Sequence, residues 1–584
     1  MKTDIAFIHP PSIYDFRRRD LKAGPISDVV PSTPVFEMYP MGFLSMLSYL
    51  VPKGYNARIC NIASMMVMSE RFDAVKYIRE LDSEIYGIDL HWLPHVHGAV
   101  NIARIIKEVK PDAKVLLGGF SASYFSDDIM KTYSWIDFVL QGDFQEYSTM
   151  KLIDAIEKNQ GLDSVPNLVF KDNAGLIRTN MNSRENSMEN VFLNYRVLMR
   201  NAIKYHDVRG HLPYADWINN PESVTIIEHG CQFNCAFCGC SNFSYRNNFY
   251  PLSPVYRNPE TVAEEIELAR EILGAPIFIA GDINLAGEKY YETLFRKIKE
   301  QKADIPVLTE YFRPPSEDYL NSLARTFGEF SVEISPESSD EKIRRLNGRE
   351  YSNISLERSI ENAMKAGCRK FDVYFTLGIS GQGENELDQD IKYAAELMKV
   401  QKDKKMKVYS FISPLTPFID PGSLIYEKPE KYGFHITART ITEYYDMLDR
   451  GKSWIDFLNY YNDWMGPADI ERLTYISEIK MIKARKEVGL IDPQSAEKII
   501  GNISNYMEGK VFEKDYRKNT HLSYLNKDIE WSRKHAITKG SILVYCSEIN
   551  PVSYSYLLRN ISLNGLDSNV KAVNSDCLIH HEIS

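Results

Sequence analysis

Val224-Thr-Ile-Ile-Glu-His-Gly-Cys231-Gln-Phe-Asn-Cys235-Ala-Phe-Cys238 is the stretch whose reading decides the fold. Val224 to Ile227 is a short apolar run that a glycine soon interrupts, a pattern that predicts a buried strand. Three cysteines follow at C-x3-C-x2-C spacing, dense enough to hold metal. An iron–sulfur cube takes about four thiolates. Three from one loop would leave a corner open to a non-protein ligand. Zinc is the alternative, but a tetrahedral zinc site usually draws on Cys or His pairs set well apart. His229 lies too close to Cys231 to act as a distant partner.

The chain has 584 residues, 44% hydrophobic and 25% charged, with a net charge of −10. This composition predicts a globular protein of about two to four domains. No basic stripe suggests nucleic acid as a partner. No apolar run approaches the roughly eighteen residues of a membrane span, and Met1-Lys-Thr-Asp-Ile does not open a signal peptide. A cytoplasmic, reducing setting is therefore expected, with the eight cysteines pointing to metal rather than disulfides. Cys60, Cys368, Cys546 and Cys577 read as ordinary buried thiols, and Cys240 as a bystander.

Upstream, residues 1–160 alternate short apolar strands with helices: Ile5–Ile8, Ala57–Cys60, Glu84–Asp89, Lys114–Leu117 and Phe138–Leu140. That order predicts an α/β unit with a parallel, doubly wound sheet. Gly118, Gly119 and Gly142 follow strands, at the edge where such sheets bind ligands. Residues 161–220 read as a connector with a hairpin over Pro166–Arg178. Residues 221–435 repeat strand–helix units, and Pro417 to Ser423 forms a proline–glycine loop. Residues 436–510 are helical by period and aromatic-rich: Tyr444, Tyr445, Trp454, Phe457, Tyr460, Tyr461 and Trp464. They read as a helical cap, with an aromatic channel for an apolar chain or a membrane-docking surface as the sharper alternative. Residues 511–584 are a C-terminal extension.

The cysteine spacing, with Phe237 just before the last cysteine, resembles the signature of radical S-adenosylmethionine (SAM) enzymes. The resemblance implies a partial (β/α)6 barrel in which Cys231, Cys235 and Cys238 hold a [4Fe–4S] cluster and SAM chelates the open iron. By position it gives Gly281 and Asp282 to the SAM amino group. Glu337 and Ser338 meet the ribose and Arg349 the carboxylate, with Phe237 and Glu310 completing the cofactor contacts. The resemblance implies a 5′-deoxyadenosyl radical that removes hydrogen from an unactivated C–H bond, and an electron donor such as ferredoxin or flavodoxin. It assigns no further catalytic residue.

The pieces Ile8-His-Pro-Pro, Pro40-Met-Gly42, Leu117-Gly-Gly and Gly142-Asp-Phe-Gln-Glu146 resemble the cobalamin-binding domain that precedes many radical SAM cores. Cobalamin proteins that replace the lower axial base carry Asp-x-His-x-x-Gly after the first strand. Here that loop is His9-Pro-Pro-Ser, and Asp89-Leu-His91 and His95-Val-His97 follow the third strand instead. Relatives of this layout include archaeal enzymes that close cyclopentane rings in tetraether lipids, which makes a lipid the expected substrate and peripheral membrane contact an option. A cobalamin-dependent methyltransferase acting on another small molecule is the alternative. Methylthiotransferases need three more upstream cysteines, and a non-catalytic iron–sulfur or zinc protein is the remaining class. Residues 542–576 resemble part of a tRNA guanine-N1 methyltransferase, without its glycine-rich loop.

Overall fold

The computed structural model describes residues 1–19, 21, 35–215, 217, 221–249, 254–301, 305–401, 406–415 and 418–507. The extension 511–584, with Cys546, Cys577 and the methyltransferase-like stretch, lies outside the described residues, as does Pro417.

The N-terminal apolar runs become β1 (Thr3–His9), β2 (Ala57–Asn61), β3 (Ser83–Asp89), β4 (Lys114–Gly118) and β5 (Phe138–Leu140). They pair in parallel in the order β2-β1-β3-β4-β5. This is a doubly wound order whose switch point falls between β1 and β3. The expected hairpin forms as β6 (Leu168–Lys171) and β7 (Ile177–Thr179). Its first strand pairs antiparallel with β5, so the hairpin extends this sheet rather than hanging in a connector.

The helix Val96–Val109 covers this sheet and sits hard against the loop after β1. Gly98 permits the approach, because a Cβ there would lie 1.7 Å from the Pro11 carbonyl oxygen. Its amide donates to Ser12 O at 3.0 Å.

The second sheet holds β8 (Ser223–Ile226), β11 (Ile277–Ala280), β12 (Val307–Tyr311), β13 (Phe330–Glu337), β14 (Lys370–Leu377) and β15 (Lys407–Pro414). All six run parallel in chain order, each followed by helix, as a partial barrel. A short antiparallel pair, β9 (Glu228–His229) with β10 (Val255–Tyr256), carries the chain from β8 into the cysteine loop. On β12–β14 the positions Thr309, Val332 and Val373 are fully buried beneath helices, while Glu310, Glu333 and Asp372 share the inward face.

The last described segment corrects the expectation of an all-helical cap. It contains the paired strands β16 (Phe434–Ile436) and β17 (Tyr460–Asn462) beside the helices Ile441–Arg450, Pro467–Glu487 and Pro493–Met507. Of its aromatics, Tyr444, Trp454, Phe457 and Tyr460 are buried in packing, whereas Tyr461 is exposed. Tyr445 stacks on His97 at 4.8 Å, and Arg19 donates to Leu448 O and Gly451 O at 3.0 Å, so the helix Ile441–Arg450 ties the two sheets' domains together. The helix Pro467–Glu487 covers the free edge of β15, where Arg485 donates to Ser410 O at 3.0 Å. An open parallel edge needs such a cover.

Gly98→Ala is expected to cost about 1–3 kcal/mol by overpacking, since the helix must back away from Pro11. Chemical denaturation of the apoprotein checks this, and an unchanged midpoint would contradict it.

Candidate functional site

The cysteine loop runs from β9 to the helix Asn242–Asn248 and is held by backbone from three directions. Gly348, at φ +97°, presses against it so closely that a Cβ would stand 2.5 Å from Asn234 O and 2.7 Å from Cys235 Cα. The Ala236 amide donates to Asn347 O at 3.2 Å, and the Ile425 amide to Ala236 O at 2.8 Å. On the third side, the Gly239 amide donates to Asp420 Oδ2 at 2.8 Å. Asn347 is itself fixed by Ser380, through bonds of 3.0 and 3.2 Å.

The Cys231 and Cys238 sulfurs accept the amides of Phe233 and Cys240 at 3.5 and 3.4 Å. Burial pushes the Cys231 thiol up to about 12 and Cys235 up to about 11, whereas the hydrogen bond from the Cys240 thiol lowers Cys238. A metal displaces such protons on binding. The three thiols lie near enough to act on one another electrostatically. Three thiolates from one loop fit three corners of an iron–sulfur cube and leave the fourth open. Phe237 is partly buried against the barrel core.

The turn after β11 sits beside this loop. Gly281 (φ +105°) lies against Ile227 and Glu228, where a Cβ would meet side-chain atoms at 2.7 and 2.9 Å. Its amide donates to Glu310 Oε1 at 2.5 Å, and the Asp282 amide to Glu228 Oε1 at 3.0 Å. The Asp282 carboxylate is engaged by the amides of Asn284, Leu285 and Phe312 at 3.0, 3.3 and 2.9 Å. Asp282 thus shapes the turn, and ligand contact from here falls to backbone carbonyls. Burial pushes both Asp282 and Glu228 up to about 7 and raises Glu310. Glu228 escaped the sequence reading; an acidic residue three before the first cysteine was the available signal.

Arg349 and Glu337 come together at the far side of the loop, Nη2 to Oε1 at 3.4 Å. The guanidinium centre stands 5.3 Å from the Phe312 ring, and its Nε is buried without a hydrogen-bond partner. Burial opposes its charge, but Cys235 and Glu337 nearby hold it cationic. Glu337 adopts φ +67° at a break in β13–β14 register and accepts from Thr376 Oγ1 at 2.6 Å. A strained non-glycine residue beside such a loop is characteristic of functional sites. Ser338 is turned away and fully buried, its hydroxyl donating to Asp390 at 3.0 Å.

The N-terminal sheet contributes the opposite wall. His9, at the end of β1, is locked between Asp89 Oδ2 at 2.9 Å and Phe36 O at 3.0 Å. His95 Nε2 meets the same carbonyl at 2.9 Å. His97 Nδ1 accepts from the Tyr14 amide at 3.1 Å. His91 lines instead a small cleft of about 60 Å³ with Phe120, Tyr124, Cys240, Phe249 and Asp420. Gly119 (φ +111°) borders it, fitted against the His91 backbone, while Gly118 has open space where a Cβ would stand. Gly142 (φ +82°) leads into Asp143, whose carboxylate binds His229 Nδ1 and the Tyr245 hydroxyl and so joins this domain to the cysteine loop.

Residues 225–394 match the Radical SAM superfamily. The chain is 24% identical, over 66% of its length and 78% of the relative's, to an uncharacterised methyltransferase of Pyrococcus horikoshii. It is 21% identical to the anaerobic magnesium-protoporphyrin IX monomethyl ester cyclase of Rubrivivax gelatinosus, over 62% of each chain. Its fold matches the radical SAM methyltransferase TsrM of Kitasatospora setae, solved with cobalamin and a [4Fe–4S] cluster bound. That match has a TM-score of 0.58 at 13% identity, over 92% of this chain and all of the other. The barrel is thus a radical SAM domain, and a [4Fe–4S] cluster and SAM are its cofactors. No described helix is long and apolar enough to cross a membrane.

Gly348→Ala is expected to lower cluster occupancy severalfold, because a side chain at positive φ would push the loop off its backbone seat. Iron and sulfide analysis of reconstituted protein checks this, and full occupancy would contradict it. Glu228 carries a pH signature. Its pKa rises from 4.5 to about 7 on folding. Between those values the folded chain keeps a proton that the unfolded chain has lost, so its contribution is present below the lower value and fades as pH rises through 7. Glu228→Gln should flatten the fall of apoprotein melting temperature between pH 5 and 8; an unchanged slope would contradict the assignment.

Proposed function

We propose that this radical SAM enzyme is corrinoid-dependent and methylates an unactivated carbon of a polar small molecule. The observation that carries the reading is the apposition of the N-terminal sheet's carboxyl edge to the cysteine loop, joined through Asp143, in a fold that matches a cobalamin-bound radical SAM methyltransferase. When bound, the cluster and SAM supply a 5′-deoxyadenosyl radical, and a corrinoid supplies a transferable methyl group. The chain's own residues position these partners. Cys231, Cys235 and Cys238 hold the cluster. The buried Nε of Arg349, beside Cys235, suits the SAM carboxylate. The Gly281 turn offers its backbone to the SAM ammonium, with Glu310 and Glu228 fixing that turn. Glu337 stands where a ribose hydroxyl would meet it.

Of the aromatics that could have held alkyl chains, Tyr444, Trp454, Phe457 and Tyr460 are buried in packing. The barrel's inward face also argues for a polar substrate. Glu310, Glu333 and Asp372 are register neighbours across β12, β13 and β14, with Lys370 Nζ 2.7 Å from Asp372. Burial raises Glu310 and pushes Glu333 well above the usual carboxyl range, so these groups hold protons and offer hydrogen bonds that an alkyl chain cannot return.

The test is anaerobic reconstitution with cluster and hydroxocobalamin, followed by product analysis with SAM and reductant. Stoichiometric corrinoid with both S-adenosylhomocysteine and 5′-deoxyadenosine is expected. Deoxyadenosine alone, without bound corrinoid, would overturn methyl transfer and return ring closure to first place.

A further inference from the structure

The cysteine loop reaches the surface at Asn234, which is exposed although Cys235 and Ala236 behind it are buried. Three helical segments frame that point, each tied to the loop by a backbone contact. The helix Asn242–Asn248 approaches through the Phe243 amide, which donates to Asn234 Oδ1 at 2.8 Å. The helix Glu341–Leu346 ends beside it, where Asn347 O accepts the Ala236 amide at 3.2 Å and Gly348 presses on Asn234. The paired short helices Leu424–Glu427 and Pro429–Tyr432 come third, with the Ile425 amide donating to Ala236 O at 2.8 Å.

The exposed side of this frame is cationic. Lys342 and Arg345 lie one helical turn apart, as do Lys428 and Lys431, and Arg246 follows Phe243 at the same spacing. All five are exposed, and none forms an ion pair among the described residues. The acids nearby are partly committed: Glu427 accepts the Tyr124 hydroxyl at 2.7 Å and Glu341 the Asn353 amide at 2.8 Å. That leaves Glu350 and Glu430 as the exposed acids of these segments. In a chain of net charge −10, a cationic rim here runs against the average.

The middle of the rim is apolar. Leu346 is 49% exposed, and Phe243 is half-buried with Lys428 Nζ 5.4 Å from its ring. The segments form one face: a Cβ on Gly381 would stand 3.3 Å from the Leu346 side chain, and the neighbouring Ser380 hydroxyl donates to Tyr432 O at 3.2 Å. An apolar centre inside a charged rim is the make-up of an interaction surface.

We propose that this face docks an acidic one-electron carrier protein of the flavodoxin or ferredoxin class. Making a 5′-deoxyadenosyl radical consumes one electron that SAM does not supply. The reduced carrier gives up that electron at the cluster and is oxidised by one electron, with no bond or proton changing place. Asn234 stands between this face and Cys235, the next residue in the chain. Complementary charge speeds the encounter, and a small interface suits a partner that leaves after each transfer. The proposal rests on the radical SAM assignment and holds whichever group is transferred afterwards.

The probes are photoreduced flavodoxin and reduced ferredoxin, both acidic. Stopped-flow bleaching of the cluster absorbance should saturate with at least one of them and slow as salt rises. The triple variant Arg345→Glu, Lys428→Glu, Lys431→Glu should need about tenfold more carrier, through lost steering and affinity. Its iron content and dithionite-driven deoxyadenosine formation should match the wild type. Fluorescence anisotropy of dye-labelled oxidised carrier should show the same loss of affinity for the cluster-free protein. The same charge change at Arg71, Lys76 and Arg79, around the helix Ala74–Glu80 of the N-terminal domain, should leave both readouts unchanged. Saturation with neither carrier, an unchanged requirement in the first variant, or an equal loss in the second would overturn the proposal. If the first variant loads its cluster poorly, unchanged carrier affinity of the cluster-free protein would overturn it. Wild-type protein that cleaves no SAM even with dithionite would overturn the radical SAM assignment itself.

Discussion

The backbone contact between Gly348 and the Asn234–Cys235 segment is the constraint on which the rest of the site depends. The cysteine loop has little regular structure, and its thiols would not hold it in shape before metal arrives. Its position comes instead from the turn after β13, through Gly348 and Asn347, from the Ile425 amide, and from the Asp420 carboxylate that accepts the Gly239 amide. That same turn delivers Arg349 to the neighbourhood of Cys235, so one glycine couples cluster geometry to the cation beside it. Fixing donors before the ligand binds is how preorganised sites gain their strength.

A second coupling runs between domains. Asp143, from the loop after β5, joins His229 and Tyr245 on either side of the cysteine loop. Helix Ile441–Arg450 fastens the same domain from the other end through Tyr445 and the Arg19 contacts. The cleft between sheet edge and cysteine loop is therefore a held space. The proposed methyl transfer, in which a radical and a methyl donor meet at one substrate carbon, needs such a fixed separation.

Much of this was legible in the sequence. Apolar runs such as Ile5–Ile8 and Val224–Ile227 formed strands within a residue or two of their expected bounds, because buried parallel strands carry a near-continuous apolar signal. The helix Glu341–Leu346 is capped by Asp340, a residue type that suits that position. The site was less legible because side-chain direction depends on tertiary partners. Ser338 turned to Asp390, and Asp282 to three amides, neither of which sequence spacing encodes. Glu228 hid in a run that reads as apolar strand. The aromatics after residue 436 have the composition of a channel and the burial of a core.

The central claim, that the three-cysteine loop holds a [4Fe–4S] cluster whose open iron takes SAM, is tested most directly by electron paramagnetic resonance of the reduced, reconstituted protein. The account predicts a cluster signal that changes shape when SAM is added and disappears when Cys231, Cys235 and Cys238 are replaced by alanine. A signal indifferent to SAM, or one that survives the triple replacement, would contradict it.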